Sequence, residues 1–254
     1  MTRPAILVTG AARRIGAAIA RRFGGRGWHV VIHCNRSHAQ AAKLALALPS
    51  AEVVQCDLGD PDAACAMVRR LAGRLDDWRV LVNCASTFQP DSAERLNPAT
   101  FAAAIRVNAE TPVRMAQSFL ARAQASGGRR VIQLTDQKLA NPNPDFFSYT
   151  MSKHALAATV PMMAMAGSSA EDRVYELAPG AILPSHDQSP REAEISHRMN
   201  LLQRLTGADE VADAALFLAS GWLESGSTLF VDSGQHLLSQ PRDVLYLARQ
   251  EGAR

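Results

Sequence analysis

The sequence predicts an α/β fold: a doubly wound parallel β-sheet with helices on both faces. Three observations predict it. Short apolar runs of strand length alternate with longer, Ala-rich helical segments along the chain. The strand-like runs are almost continuously apolar, as in parallel strands covered on both faces. The first strand also runs straight into a glycine-bearing turn and then a helix.

The elements follow in order. Ala5–Thr9 reads as a strand and Ile15–Arg26 as a helix; Trp28–His33 is a second strand and Ala39–Leu48 its helix. Glu52–Cys56, Val80–Asn83 and Arg130–Thr135 are further strands. Helices at Ala63–Leu75 and Phe101–Gln124 connect them. A helix over Ser148–Ala166 leads to a strand at Val174–Leu177. A helix at Glu210–Ala219 then leads to a last strand at Thr228–Val231. The polar stretch Leu183–Arg198 carries two prolines and reads as irregular. It is either a flap over a site, expected to run over 183–205, or an ordinary surface loop. Asp243–Gln250 reads as a short helix at a subunit surface.

No linker-like tract interrupts the 254 residues, so one domain over 1–254 is expected. With 47% hydrophobic residues the chain can bury a large core without a disulfide or metal staple. A net charge of +3 is too small and dispersed to call for a nucleic-acid partner. Cys34, Cys56, Cys65 and Cys84 lack metal-ligand spacing, and structural thiols are expected, with no metal. No apolar run reaches the roughly 20 residues that span a bilayer. The short apolar run from Met1 to Leu7 ends in Thr9-Gly10, which predicts no signal peptide and a cytoplasmic setting.

The turn reads Thr9-Gly10-Ala11-Ala12-Arg13-Arg14-Ile15-Gly16. Gly10 permits a tight turn, Gly16 permits close helix–strand packing, and the helix N-terminus offers free N–H groups to a pyrophosphate. A site for NAD places an acidic residue about 20 residues further on, to hold the ribose hydroxyls. No acidic residue precedes Glu52, and the second strand ends in His33-Cys34-Asn35-Arg36-Ser37. Arg36 can make charge-assisted hydrogen bonds to a 2′-phosphate, and Arg13 and Arg14 add positive potential. NADPH is therefore the expected cofactor.

Tyr149 and Lys153 stand four residues apart in the helical segment, on one face. An ammonium beside a phenol lowers the phenol's pKa and makes it a usable acid or base. His154 and the group Met162, Met163 and Met165 read as surface and packing residues.

With these residues in place, the chain resembles the short-chain dehydrogenase/reductases, which implies a Rossmann fold and hydride transfer. Thr9-Gly10 and Gly16 match the glycine motif, and Asp57, followed by Leu58, matches the acid that contacts adenine. Asn83-Cys84-Ala85-Ser86 matches the fourth-strand motif, and Asn108 the asparagine of the proton relay. Tyr149 and Lys153 match the catalytic pair, and Pro179-Gly180 matches the turn before the flap. The resemblance implies further cofactor contacts from Ile15, Ala85, Thr135 and Ile182, and a homotetramer built on the Phe101–Gln124 and Ser148–Ala166 helices.

Three departures narrow the branch. Arg14 replaces the middle glycine, Ser86 the last glycine of the fourth-strand motif, and Asp136 the catalytic serine 13 residues before Tyr149. Together with His33, Arg36, Ser37 and Phe88 they are similar to the pteridine reductases, dihydromonapterin reductases included. That resemblance implies a dihydropterin or dihydrofolate as substrate, with Phe88 stacking on it. Arg14 and Ser86 would hydrogen-bond the substrate or nearby phosphates, and Asp136 with Tyr149 would supply a proton. A reductase of another small carbonyl or imine stays open, as does a non-catalytic NADP(H)-binding sensor. The threonine usual after Pro-Gly is absent, and Ala181-Ile182-Leu183 stands there.

Overall fold

The computed structural model describes residues 3–167, 169–185 and 188–252. Among them, seven strands form one parallel sheet in the order β3-β2-β1-β4-β5-β6-β7. The strands are β1 (Ala5–Val8), β2 (His29–Cys34), β3 (Ala51–Gln55), β4 (Trp78–Asn83), β5 (Arg130–Leu134), β6 (Arg173–Pro179) and β7 (Thr228–Val231). The helices are α1 (Arg14–Gly24), α2 (His38–Leu46), α3 (Pro61–Ala72), α4 (Pro98–Ile105), α5 (Thr111–Arg122), α6 (Phe147–Met165), α7 (Pro190–His197), α8 (Ala208–Ala219) and α9 (Val244–Gly252).

The unbroken apolar character of the strands has its explanation in the two cores. Ile6 and Val8 of β1 join one cluster with Ala20 and Phe23 of α1 and Val211 and Leu218 of α8. Ala5 and Leu7 point the other way, into a cluster with Val68 and Leu71 of α3 and Met115 and Phe119 of α5. Alternate side chains on a strand face opposite sides, so a sheet buried on both needs apolar residues at every position. The edge strand β7 differs, with Phe230 half-exposed and stacked on His236, ring centroids 4.0 Å apart.

The strand order reverses between β1 and β4, the place where an open α/β sheet leaves a crevice at the strand carboxyl ends. Thr9 pins that crevice: its Oγ1 accepts from the backbone N–H groups of Cys84 and Ala85, both at 2.9 Å.

Two expectations need correction. The long helix over Phe101–Gln124 is not uniform: α4 and α5 flank a π turn at Arg106–Glu110. Pro112 has no N–H to continue an α-helical ladder, so the run changes register just before it. The stretch Leu183–Arg198 is not wholly irregular, because it contains α7. Ser189 accepts from the Glu192 N–H and the Glu192 side chain accepts from the Ser189 N–H, with Pro190 at the first helical position. His186 and Asp187 of the expected flap lie outside the described residues. The C-terminal helix packs against α7, and Asp243, Val244 and Leu245 at its start line the central cavity. No helix among the described residues is long and apolar enough to cross a membrane.

Candidate active site

The crevice opens into a cavity of about 790 Å³, toward the upper end of the ~300–1,000 Å³ common for small-molecule sites. One end is built from the β1–α1 turn. Gly10 adopts a left-handed φ of +65°, and a Cβ there would stand 3.0 Å from the Ala85 Cα. A Cβ on Gly16 would meet the Gly10 carbonyl oxygen at 2.6 Å, so both positions require glycine. Arg14 takes a φ of 57° where relatives in the resembled family carry glycine, a conformation costing roughly 1–2 kcal/mol for a side-chain-bearing residue. Its guanidinium donates to the Pro184 carbonyl at 2.8 Å and leans on that of Leu183 at 3.4 Å, tying the turn to the segment after β6.

This end is made for an anion. Helix α1 has no side-chain cap and no acidic residue in its first turn, so its N–H groups and positive dipole end face the cavity. Arg13, Arg14, Arg36 and Ser37 line the same end. The residues present therefore fit the phosphates of a dinucleotide.

Five residues expected at the site do not line the cavity. His33 is buried beneath the turn: Nδ1 accepts from the Gly10 N–H at 3.2 Å and Nε2 donates to the Cys56 carbonyl at 3.1 Å. Burial holds its pKa down to about 4, which fixes it neutral. Asp57 spends one carboxylate oxygen on the Asn35 amide and the Gly59 N–H. Leu58 is core, and Asn83 donates to Pro112 and Gln133. Asn108, fully buried in the π turn, accepts from the Thr87 N–H at 2.8 Å and the Ser86 hydroxyl at 3.2 Å. It donates to Thr87 O and to Ser152. It holds the Ser86–Thr87 backbone rather than facing the cavity.

The other end is built from the termini of β4 and β5 and from α6. Tyr149 and Lys153 lie on the buried face of α6, one turn apart. The Tyr149 hydroxyl donates to Asp136 Oδ2 at 2.8 Å, and Asp136 Oδ1 accepts from the Lys138 N–H at 2.9 Å. Lys153 Nζ donates to the Leu134 carbonyl at 2.6 Å and stands 5.8 Å from the Tyr149 ring centroid. Phe88 stacks on Phe146 at 4.1 Å and meets Tyr149 edge-on at 4.6 Å, forming an aromatic wall. Ala85, Ser86, Thr135, Pro179, Gly180 and Ile182 complete the lining.

The expected sign of the tyrosine shift is reversed. Burial and the Asp136 carboxylate raise the Tyr149 pKa well above its ordinary value. The hydrogen-bonding neighbour is an anion, and Lys153, itself lowered by burial to about 8, is too far to outweigh it. Burial also raises the Asp136 carboxyl. Tyr149 is thus a phenol that stays protonated, next to a carboxyl that burial also inclines to hold a proton.

Sequence reasoning missed Lys138, Asp243, Leu245, Gln188 and His197, which also line the cavity. Asp243 and Leu245 offered no signal, since the chain returns to the site more than a hundred residues after Asp136.

Residues 10–236 match the family described as enoyl-(acyl carrier protein) reductase. The chain is 28% identical to pteridine reductase 1 of Leishmania tarentolae, covering 93% of this chain and 97% of the relative. It is 24% identical to the dihydromonapterin reductase of Citrobacter koseri, covering 91% and 96%. The crystal structure of FolM alternative dihydrofolate reductase 1 from Brucella canis, complexed with NADP, superposes with a TM-score of 0.87. It is 34% identical, covering 95% of this chain and 96% of that one. With the β1–α1 turn, the Tyr149–Lys153 pair and these relatives, the chain belongs to the short-chain dehydrogenase/reductases, an oxidoreductase similar to the pteridine reductases.

Proposed function

We propose that this protein reduces a pteridine, a dihydropterin or dihydrofolate, to the tetrahydro form with NADPH as hydride donor. The observation that carries the reading is the partly buried Asp136–Tyr149 pair facing the cavity beside Phe88. A simple carbonyl reductase needs only the tyrosine. A carboxyl in hydrogen-bond contact with it adds a proton source suited to a ring nitrogen. The pteridine reductase and the FolM protein among the relatives support the substrate class.

The α1 N-terminus, with Gly10, Arg13, Ile15 and Gly16, would hold the pyrophosphate, and Arg36 and Ser37 the 2′-phosphate. Lys153 would hold the nicotinamide ribose, with Ala85, Thr135, Pro179, Gly180 and Ile182 framing the ring. When bound, the cofactor supplies the hydride that reaches carbon of the ring C=N bond. Tyr149 gives its proton to the ring nitrogen as the electron pair of that bond settles there. Asp136, in its protonated form, passes a proton to the Tyr149 oxygen and is recharged from solvent. The Phe88 wall supports the flat heteroaromatic, with Ser86 and Arg14 at its polar edge.

The free Cys34, Cys56, Cys65 and Cys84 fit a reducing, cytoplasmic setting. The exposed Met162 and Met165 fit a subunit contact, consistent with a homotetramer.

Purified protein is tested by NADPH oxidation with dihydromonapterin, dihydrobiopterin and dihydrofolate in parallel, with NADH as control. Turnover of at least one pteridine is expected, and NADPH binding without any such turnover overturns the reading. In the same assay Asp136→Ser is expected to lower pteridine kcat/KM at least ten times more than that of a simple carbonyl. Equal losses would point to a carbonyl substrate instead.

The cofactor preference rests on Arg36. Arg36→Glu replaces a charge-assisted donor, worth about 1.5–3 kcal/mol, with a repelling carboxylate. NADPH kcat/KM should fall about 10- to 100-fold or more, while that for NADH holds or rises. Unchanged discrimination would remove Arg36 from the phosphate site.

A further inference from the structure

Lys138 is buried, 5% exposed, and touches the Asp136–Tyr149 pair and the C-terminal helix at once. Its backbone N–H donates to Asp136 Oδ1 at 2.9 Å. Its ammonium donates to Asp243 Oδ2 at 3.1 Å and to the Asp145 carbonyl at 2.7 Å, and lies 5.4 Å from the Phe146 ring centroid. Asp243 spends its other oxygen on the Leu245 N–H at 3.1 Å, capping α9. The Asp145 carboxylate is taken up by Arg242, at 2.8 Å, and by the Asp243 N–H. One cation and one anion, Lys138 and Asp243, therefore stand beside Asp136 in the same cavity wall.

We propose that Lys138 and Asp243 form a balanced charge pair that sets the proton affinity of Asp136, and so act as positioning residues for the proton supply to Tyr149. The proposal rests on the reading that protonated Asp136 feeds that step. The other charged or titratable groups around it are Tyr149 and Lys153 from α6, Cys84 at the end of β4, Glu176 on β6, and the Asp145–Arg242 pair. Glu176 is engaged by the hydroxyls of Thr135 and Thr228, and Lys153 by the Leu134 carbonyl. Their hydrogen bonds go to those partners, whereas Lys138 reaches Asp136 through its backbone N–H. The two members act with opposite sign: the ammonium favours the Asp136 carboxylate, and the Asp243 carboxylate favours the protonated acid. Burial raises the Asp136 carboxyl, the bonds from the Lys138 N–H and the Tyr149 hydroxyl oppose it, and the two charges bias the remainder in opposite senses. Losing either one tips the balance.

The substitutions that separate charge from architecture keep the backbone contacts, while Lys138→Met also gives up the ammonium's bonds to Asp243 and the Asp145 carbonyl. Lys138→Met leaves the N–H to Asp136, and Asp243→Asn leaves an oxygen to cap α9. The test follows kcat/KM for a dihydropterin with NADPH through pH in the wild type, both single variants and the double variant, alongside Tm. Activity requires protonated Asp136, so the basic limb reports its pKa. That limb should move up by about one unit in Lys138→Met and down by about one unit in Asp243→Asn. In the double variant it should return to within about 0.3 of wild type. The pH titration of the Asp136 carboxyl carbon, followed by NMR and assigned with Asp136→Asn, gives the same comparison without turnover. Absence of pteridine turnover with opposite carboxyl shifts would sink the functional reading and leave the charge pair standing. Shifts of the same sign, or no shift with a fall in amplitude and Tm, would reduce Lys138 and Asp243 to scaffolding.

Discussion

Tyr149→Phe is expected to leave a folded protein that still binds its nicotinamide cofactor and reduces the proposed pteridine substrate about 10²- to 10⁴-fold more slowly. The substitution removes one oxygen. The ring keeps its edge-on contact with Phe88 and its place on the buried face of α6, so the cavity keeps its shape. What goes is the hydroxyl that donates to Asp136 Oδ2 at 2.8 Å beside the aromatic wall. Asp136 does not substitute for it, since it sits behind Tyr149 in the relay, and losing the phenol's hydrogen bond favours the protonated, uncharged acid. The cofactor end, from the α1 N-terminus to Arg36, is untouched. Steady-state turnover and NADPH fluorescence titration on the same preparation check both halves. Retention of more than a tenth of wild-type kcat would remove Tyr149 from the chemistry. Loss of NADPH binding would show that the phenol holds the cofactor instead.

The sheet and the turn proposed to hold the phosphates were legible because both are written in local sequence. A strand, a glycine turn and a helix are consecutive, and β1 needs apolar residues on both faces wherever it lies. The proton-supplying end was legible only in its parts. The spacing of Tyr149 and Lys153 puts them on one helix face, yet the sign of the phenol's shift depends on which charge lies at hydrogen-bond distance. That neighbour is Asp136, from a different element. Lys138 carried no signal of its own because its partner Asp243 lies 105 residues away. Helix α7 did carry a local signal, Ser189-Pro190 followed by Glu192, which the prolines and polarity of the stretch obscured. His33 is the reverse case: it matched a motif at the cofactor end, while its two ring nitrogens serve the backbone beneath it.

That placement makes His33 a source of acid sensitivity that one substitution should remove. Its pKa is about 4 in the folded protein, against roughly 6.5 in an unfolded chain. Above pH 6.5 both states are neutral there and the residue costs nothing. As pH falls from 6.5 toward 4, the unfolded chain takes up a proton that the folded protein refuses, and stability drops. The loss from this one group is about 2 kcal/mol by pH 5 and about 3 kcal/mol by pH 4, where it levels off. His33→Gln keeps both bonds in principle, with the amide oxygen accepting from Gly10 and the amide nitrogen donating to Cys56, but does not titrate. Urea unfolding at pH 7 and pH 5 should therefore show the wild type losing about 2 kcal/mol more than the variant. His197, whose pKa burial also depresses, titrates in both proteins and cancels in the difference. Equal losses would mean that His33 takes up its proton while folded, which would force the ring to give up its acceptor role toward Gly10. Since that N–H belongs to the turn proposed to hold the pyrophosphate, the wild type should then lose cofactor affinity over the same pH range. The variant should keep it.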